Sequence, residues 1–449
     1  MEGIGLLYTE NIFIYYFVFI VYFILIILYT EIIYMQTISL NHRRNVSILA
    51  LGAESAGNFS VFRDGRIFSS DDFGDLLEEA NWIKYQASVL KYLKDNKIKP
   101  QIILTDLHPL YKTTLWGEEL AKKSSAKFVQ VQHHHAHIFS AVGDKILHNT
   151  SYLLPPTFYC IAMDGTGFGV DEKIWGGEAF KVESRKNKVA SVKRIGHLEN
   201  QVMVSGDLAV REPARMLIGV LSKLLSNKEI YPFIKKYYTK NEFELIYNQL
   251  QQNFNCLETS STGRVLDAIS LLLGFCGNVR KYKHEPIDKL EKNSDTPYSD
   301  LKPKIIFDKK EKKYILLTTP LFKYLIKNIN KDKKRLATTA QIYIAEGLYE
   351  IIKLKCYNNA GSIVPIEPQS SDKLKFKNSN KILPEIKGLG KMPEPAYAQY
   401  DNIFISGGIA NNKIISNYFI SKGAYASKII PRGDAGLSFG QIVYYLLGK

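Results

Sequence analysis

The stretch "FYCIAMDGTGFG" (residues 158–169) joins an apolar run to a glycine-rich turn. A short apolar run bounded by turn residues is typical of a buried strand. Two β-prone segments, "GGEAFKV" and "VASVKRI", follow the turn and predict a β-hairpin. A strand, a glycine turn and a hairpin therefore open this part of the chain.

The same scheme occurs upstream. "NVSILALGAE" (45–54) predicts a buried strand, and "NFSVFRDGRIFSS" (58–70) predicts a hairpin around Asp64-Gly65. Short apolar strands and periodic helical segments continue this half, with strands at 101–105 and 127–132 and helices at 73–96 and 134–147.

The remainder of the chain has further helical patterns, followed by two blocks of strand, glycine turn and helix at 402–420 and 428–447. The helical patterns lie at 211–225, 263–276 and 335–356. The repeated scheme predicts a duplicated α/β domain, with a first lobe at 45–157 and a second lobe with helical insertions at 158–449.

"VQHHHAH" (131–137) contains four of the nine histidines of the chain. His133 and His137 would share one face of a helix and could bind one metal ion. Asp164 and Asp434, at or near strand ends, would complete a set that suits iron or zinc. His134 and His135 would point elsewhere, to contact substrate or support the ligands. A structural histidine cluster, or adventitious metal binding, is the alternative.

The turns "DGTG" (164–167) and "SGG" (406–408) each end an apolar strand. Glycine lets backbone N–H groups approach an anion there, so the two turns together predict a nucleotide between the lobes.

Composition limits the class of protein. The hydrophobic content of 46% indicates a largely globular chain, and the net charge of +15 would suit nucleic acid or an anionic membrane. The lysines are scattered, however, which favours ordinary solvated surfaces. The four cysteines form no C-x-x-C pair, which argues against a zinc ribbon and indicates a reducing compartment.

Two segments differ from the rest. "IFIYYFVFIVYFILIILY" (12–29) has 18 uncharged residues, and "HRR" follows at 42–44. We expect segment 1–35 to be either a membrane anchor with the catalytic part in the cytoplasm or an artefact of the start site before Met35. Residues 359–400 are rich in Pro, Ser, Lys and Gly, and predict a flexible insertion.

Nine ordered blocks together resemble the C-terminal carbamoyltransferase domain of the hydrogenase maturation protein HypF. They are "LALGAE", "FGDL", "TDLHPLY", "VQHHHAH", "DGTGFG…IWGGEAF", "SGDLAVREPARM", "SSTGRVLDAISLLLGF", "SGGIANN" and "PRGDAGLSFGQ". The resemblance spans about residues 46–447, except 359–400. It implies duplicated actin-like, sugar-kinase-like (ribonuclease-H-like) lobes with the active site in the cleft between them.

The resemblance also implies a reaction: a carbamoyl group passes from carbamoyl-adenylate, derived from ATP, to the C-terminal cysteine thiol of HypE. It implies an iron or zinc ion, with Mg²⁺ as a further candidate, and no nucleic acid. The catalytic metal ligands carried over by motif are His133, His137, Asp164 and Asp434. The nucleotide-binding residues are Gly165, Thr166, Gly167, Gly206, Asp207, Glu285, Gly407, Gly408 and Asn411.

The chain departs from the family pattern in three places. The acylphosphatase, zinc-finger and YrdC-like parts of HypF have no room before residue 46, so we expect a separate YrdC-like protein to make the carbamoyl-adenylate. Ala56 stands where the family has a lysine, and Pro286 stands where it has a glycine after Glu285. Two alternatives therefore stay open: a TsaD-like tRNA threonylcarbamoyltransferase, and a catalytically weak scaffold that binds nucleotide and metal.

Overall fold

A computed structural model describes residues 34–36, 46–149, 151–359 and 402–448. The apolar segment at 12–29 and all but the first residue of the insertion at 359–400 lie outside these ranges. Within the described ranges, no helix has the length and apolar character that a membrane crossing requires.

The first sheet has six strands in the order β1-β4-β3-β2-β5-β6. Strands β2, β3 and β4 form an antiparallel meander, whereas β5 and β6 run parallel to β2. The predicted hairpin at Asp64-Gly65 is confirmed, and both turn residues have positive φ. The strands are β1 (Tyr34–Gln36), β2 (Ile48–Ala50), β3 (Ser60–Arg63), β4 (Arg66–Ser69), β5 (Ile102–Asp106) and β6 (Lys127–Val131).

The second sheet has nine strands among the described residues, and its part β9-β8-β7-β14-β15 repeats this plan. The first three strands of this part are antiparallel, and β14 and β15 run parallel to β7. The predicted α/β duplication is therefore present in the strand order. These strands are β7 (Thr157–Phe168), β8 (Ile174–Arg185), β9 (Lys188–Leu198), β14 (Ile403–Ser406) and β15 (Tyr425–Ala426), and the additional strands are β10 (Gln201–Val204), β11 (Cys256–Thr259), β12 (Ile305–Asp308) and β13 (Lys313–Leu316).

Helices cover both sheets and form the insertions of the second lobe. The predicted helix at 73–96 begins later, at Glu79, because residues 73–76 instead pair their backbone with residues 54 and 57. In chain order the helices are α1 (Glu79–Asp95), α2 (Lys112–Ser124), α3 (His133–His148), α4 (Leu208–Arg211), α5 (Pro213–Leu221), α6 (Asn227–Ile234), α7 (Lys240–Gln251), α8 (Thr262–Leu272), α9 (Glu285–Lys292), α10 (Thr319–Lys327), α11 (Lys333–Asn359), α12 (Lys413–Ser421) and α13 (Leu437–Leu447).

The helices that follow β6 and β15, the last strands of the shared plan, join the lobes. Helix α3 comes from the first sheet but packs against β7 and β14, and α13 comes from the second sheet but packs against β2 and β5. The two helices also pack against each other, and Phe139 and Phe439 lie in one apolar core with residues of both sheets. This exchange brings the starts of α3 and α13 together between the lobes.

One strand prediction was wrong. The segment 428–431 was expected to be a strand, but the strand is the shorter β15, at 425–426. The carboxylate of Asp144 on α3 accepts backbone N–H bonds from Lys428, Ile429 and Ile430 at 2.7–3.0 Å. These donors are therefore bound to a side chain and not to a neighbouring strand.

Candidate active site

The predicted histidine pair lies in the first turns of α3. The helix starts where the Gln132 side chain accepts a hydrogen bond from the backbone N–H of His135 at 3.0 Å. His133 and His137 are buried on the same face of the helix, as the spacing predicted.

Four predicted residues converge on one point. The ligand atoms of His133, His137, Asp164 and Asp434 all lie within 4.8 Å of one another. Nε2 of His133 is 3.3 Å from Oδ2 of Asp164, and Nε2 of His137 is 3.4 Å from Oδ1 of Asp434. Two imidazoles and two carboxylates, each with an oxygen or nitrogen toward a common centre, are a donor set suited to iron or zinc.

Asp106 fixes the orientation of the first histidine. Its Oδ2 lies 2.7 Å from Nδ1 of His133, and both side chains are buried. A carboxylate on one ring nitrogen holds the proton there and leaves Nε2 to bind a metal ion. Burial lowers the pKa of His133, but Asp106 and Asp164 outweigh it and raise that pKa well above its ordinary value.

The unpartnered atoms of the site fit a metal ion. Both ring nitrogens of His137 and Oδ1 of Asp434 are buried without a hydrogen-bond partner among the described residues. Burial and Asp164 raise the pKa of Asp434, but the nearby histidines outweigh them and lower it to about 2. An ionised carboxylate and a buried imidazole left unpaired would be costly, and a cation between them removes that cost.

The other two histidines are supporting residues of the fold. His134 is buried close to Gly167 and 5.9 Å from the Trp175 ring, and burial and His133 lower its pKa to about 3. His135 packs between Phe180 and Tyr444, and burial lowers its pKa to about 4. Both are therefore neutral near pH 7, and neither joins the four-residue cluster.

The predicted Gly407-Gly408 turn lies beside the cluster, against β7. The prediction of a turn at 164–167 was wrong, because β7 continues through these residues to Phe168, with an irregularity in its pairing between Met163 and Gly167. Gly407 has a φ of +95°, and a Cβ there would lie 2.1 Å from the Met163 carbonyl oxygen. A Cβ on Gly408 would lie 3.3 Å from Oδ1 of Asp164. Glycine is thus required for the turn at 407 to pack on β7, and it leaves bare backbone next to a candidate metal ligand. Thr166, between Gly165 and Gly167, is exposed.

The remaining predicted nucleotide-binding residues lie on other elements of the second lobe and differ in exposure. Gly206 has a φ of +56° and precedes the exposed Asp207, whose charge acts on His108 of the first lobe. Glu285 is buried at the start of α9, where its carboxylate binds the backbone N–H of Lys281 and the ammonium of Lys289.

Asn411 lies at the end of a 3₁₀ helix, Gly408–Asn411, and is exposed. The position of these residues does not test their role in binding a nucleotide, which stays a prediction.

Three functional side chains were not predicted as site residues. Asp106 ends β5 inside the "TDLHPLY" block, so its place at the end of a strand was the available signal. The Ser55 hydroxyl donates to Oδ2 of Asp434, and Lys283 Nζ lies 4.0 Å from that oxygen. Ser55 and Lys283 are far from residue 434 in sequence, and no local pattern marks them.

The lobes and this centre define a two-lobed α/β protein with a candidate His₂Asp₂ metal site beside the Gly407-Gly408 turn. Comparison with known families agrees with that class. Residues 43–144 match the HypF Kae1-like domain, and residues 160–364 match the second subdomain of the Kae1-like carbamoyltransferase domain.

Individual relatives give the same result. The chain is 33% identical over 427 residues to the probable carbamoyltransferase HypF of Methanocaldococcus jannaschii, covering 92% of this chain and 48% of that protein. It is 32% identical to carbamoyltransferase HypF2 of Cupriavidus necator, covering 52% of this chain and 27% of that one. The chain belongs to the HypF family, over its Kae1-like carbamoyltransferase domain.

Solved structures support the fold. Crystal structures of T. kodakarensis HypF and of a full-length HypF in a phosphate- and nucleotide-bound form align with TM-scores of 0.69 and 0.72, at 27% and 22% identity. The alignments cover 90% and 91% of this chain but 48% and 47% of those chains. The chain thus spans about half the length of these relatives.

Proposed function

We propose that this chain transfers a carbamoyl group from carbamoyl-adenylate to the C-terminal cysteine thiol of a HypE-like protein. The observation that carries the proposal is the convergence of His133, His137, Asp164 and Asp434 between the lobes, next to the Gly407-Gly408 turn. The relatives named above are carbamoyltransferases of the HypF type, which supports a thiol acceptor over tRNA. The intact ligand set supports catalysis over a scaffold role.

Each group of residues in the site would have a separate role. The four ligands would hold an iron or zinc ion, with Mg²⁺ as the other candidate, and such an ion supplies Lewis acidity toward phosphate and acyl oxygens. Asp106 keeps His133 in the orientation that binding requires. The Gly407-Gly408 turn lets the phosphate of the adenylate approach the backbone closely. Burial of the centre excludes water that would hydrolyse the activated carbamoyl group.

The transfer is a substitution at the carbamoyl carbon. The acceptor thiol loses its proton and its sulfur bonds to that carbon, while the bond from the carbon to the phosphate oxygen breaks. AMP leaves with the electron pair of that bond. The products are an S-carbamoyl cysteine, AMP and a proton.

We further propose that a separate YrdC-like protein supplies the carbamoyl-adenylate, and that the reaction takes place in the cytoplasm without nucleic acid. The test combines the purified chain with a HypE-like acceptor, carbamoyl phosphate and ATP, with and without a YrdC-like synthase. Intact mass spectrometry of the acceptor should show one added carbamoyl group only with the synthase present.

The matched control is the same reaction with the double variant His133→Ala, His137→Ala, which should give no addition. A mass gain that persists in this variant would contradict the assigned site. Absence of any gain with the wild-type chain and synthase, while nucleotide still binds, would favour the scaffold alternative. A gain without the synthase would contradict the need for a separate protein.

A further inference from the structure

Lys283 links the second lobe to the first. Its Nζ donates to the backbone carbonyl of Ser55 at 3.0 Å, in the loop that follows β2. The same atom lies 4.0 Å from Oδ2 of Asp434, and half of the side chain is exposed, at 50%. An ammonium group has three N–H donors, so one hydrogen bond to a neutral carbonyl leaves two donors for a ligand.

The backbone that carries Lys283 is held in place by buried charge. Arg280 donates from Nη1 to the carbonyl of Lys283 at 2.9 Å, and from Nη2 to the carboxylate of Asp267. Asp267 is fully buried on α8 and also pairs with Arg264 at 2.9 Å. The position of Lys283 is therefore set by the core of the second lobe and not by its own exposed side chain.

The surroundings of Asp434 are arranged asymmetrically. Oδ1 faces His137 in the metal cluster, whereas Oδ2 is held by the Ser55 hydroxyl and approached by Lys283. Gly433, the residue before Asp434, would place a Cβ 3.4 Å from the Cα of Gly408. Lys283 and the contact between Gly408 and Gly433 thus both lie next to Asp434.

We propose that Lys283 binds the phosphate of the adenylate, beside Gly408 and Gly433. This inference rests on the function proposed above and adds a residue to it. A lysine is a compact positive charge that suits a phosphate oxygen, and the two carboxylates of the centre would otherwise repel the anion. Ala56, the residue after Ser55, carries no charge, whereas Lys283 brings an ammonium group to the Ser55 carbonyl and to within 4.0 Å of Asp434.

The test measures the binding of AMP and of adenosine to the full chain by isothermal titration calorimetry. Lys283→Ala should weaken AMP binding by about tenfold, because one charged hydrogen bond is lost, and should leave adenosine binding unchanged. Lys292→Ala, which removes the same charge from an exposed position at the end of α9, should change neither.

A second variant guards against a purely structural effect. In the Lys283→Ala background, Ala56→Lys should recover part of the AMP affinity, since residue 56 directly follows Ser55, whose carbonyl Lys283 contacts. Equal loss of AMP and adenosine would overturn the proposal in favour of lobe positioning. An unchanged AMP affinity would overturn it while the proposed function survives. Wild-type protein that binds neither ligand would overturn both.

Discussion

The two sheets share a strand order but place different chemistry at equivalent strand ends. After β6, the first lobe begins α3 with His133 and His137, and after β15 the second lobe leads into α13 through Asp434. Strands β5 and β14 end in Asp106 and Ser406, and both residues contact the histidine helix. The two equivalent frameworks thus carry different side chains, which together form one asymmetric candidate metal site.

The chain at and after the first strands of the shared plan, β2 and β7, differs in the same way. In the second lobe, β7 itself carries the candidate ligand Asp164, four residues before the strand ends at Phe168. In the first lobe, the loop after β2 provides Ser55 and Asn58, which instead hold the side chain and backbone of Asp434. One lobe therefore supplies both carboxylate ligands, and the other supplies the histidines and the groups that orient the ligands.

The largest effect should come from removing both histidines. His133→Ala with His137→Ala should abolish metal binding and lower the rate of carbamoyl transfer by more than about a hundredfold. The loss of a residue that only supports a metal ligand already lowers metal affinity or activity by up to about a hundredfold. Metal content by mass spectrometry and transfer rate are the measurements. His135→Ala, on the same helix but outside the cluster, should keep the metal. A double variant that retains stoichiometric metal would refute the ligand assignment.

A smaller effect on metal affinity should distinguish Asp106, at the end of β5, from Ser406, at the end of β14. Asp106→Asn should weaken metal affinity by about ten- to a hundredfold, because the amide no longer anchors His133 as a charged acceptor. Ser406→Ala removes only a hydroxyl that donates to the His137 carbonyl, and should change the affinity by less than about threefold. Competition with a metal chelator measures both. Equal effects would mean that the two strand ends do the same work.

The smallest effect on transfer, but a measurable one on stability, should come from Asp144. Strand β15 is short, and after it the Asp144 carboxylate accepts hydrogen bonds from the backbone N–H groups of residues 428–430. Asp144→Asn should lower the free energy of unfolding by about 2–3 kcal/mol, since charge-assisted bonds are lost. Urea denaturation measures it. Asp71→Asn, at an exposed position, should stay within about 0.5 kcal/mol of wild type.

Much of the fold followed from local pattern. The hairpin at Asp64-Gly65, the strand before "DGTG" and the helix that carries the histidines are all marked by turn residues and by periodicity, which act over a few residues. The segment 428–431 was predicted as a strand because it is apolar. Its backbone partners came from Asp144, far away in the sequence, and periodicity has no access to such contacts.

The sequence by itself determined the ligand types, because histidines four residues apart and aspartates beside glycine turns restrict the chemistry to metal and phosphate. The family motifs determined which aspartates to choose. Only the tertiary structure decided how these residues are supported. Asp106 and Ser55 reach the centre because α3 and α13 exchange sheets and bring distant strand ends together, whereas Lys283 comes from the loop before α9. Such packing depends on the whole core and not on any local segment.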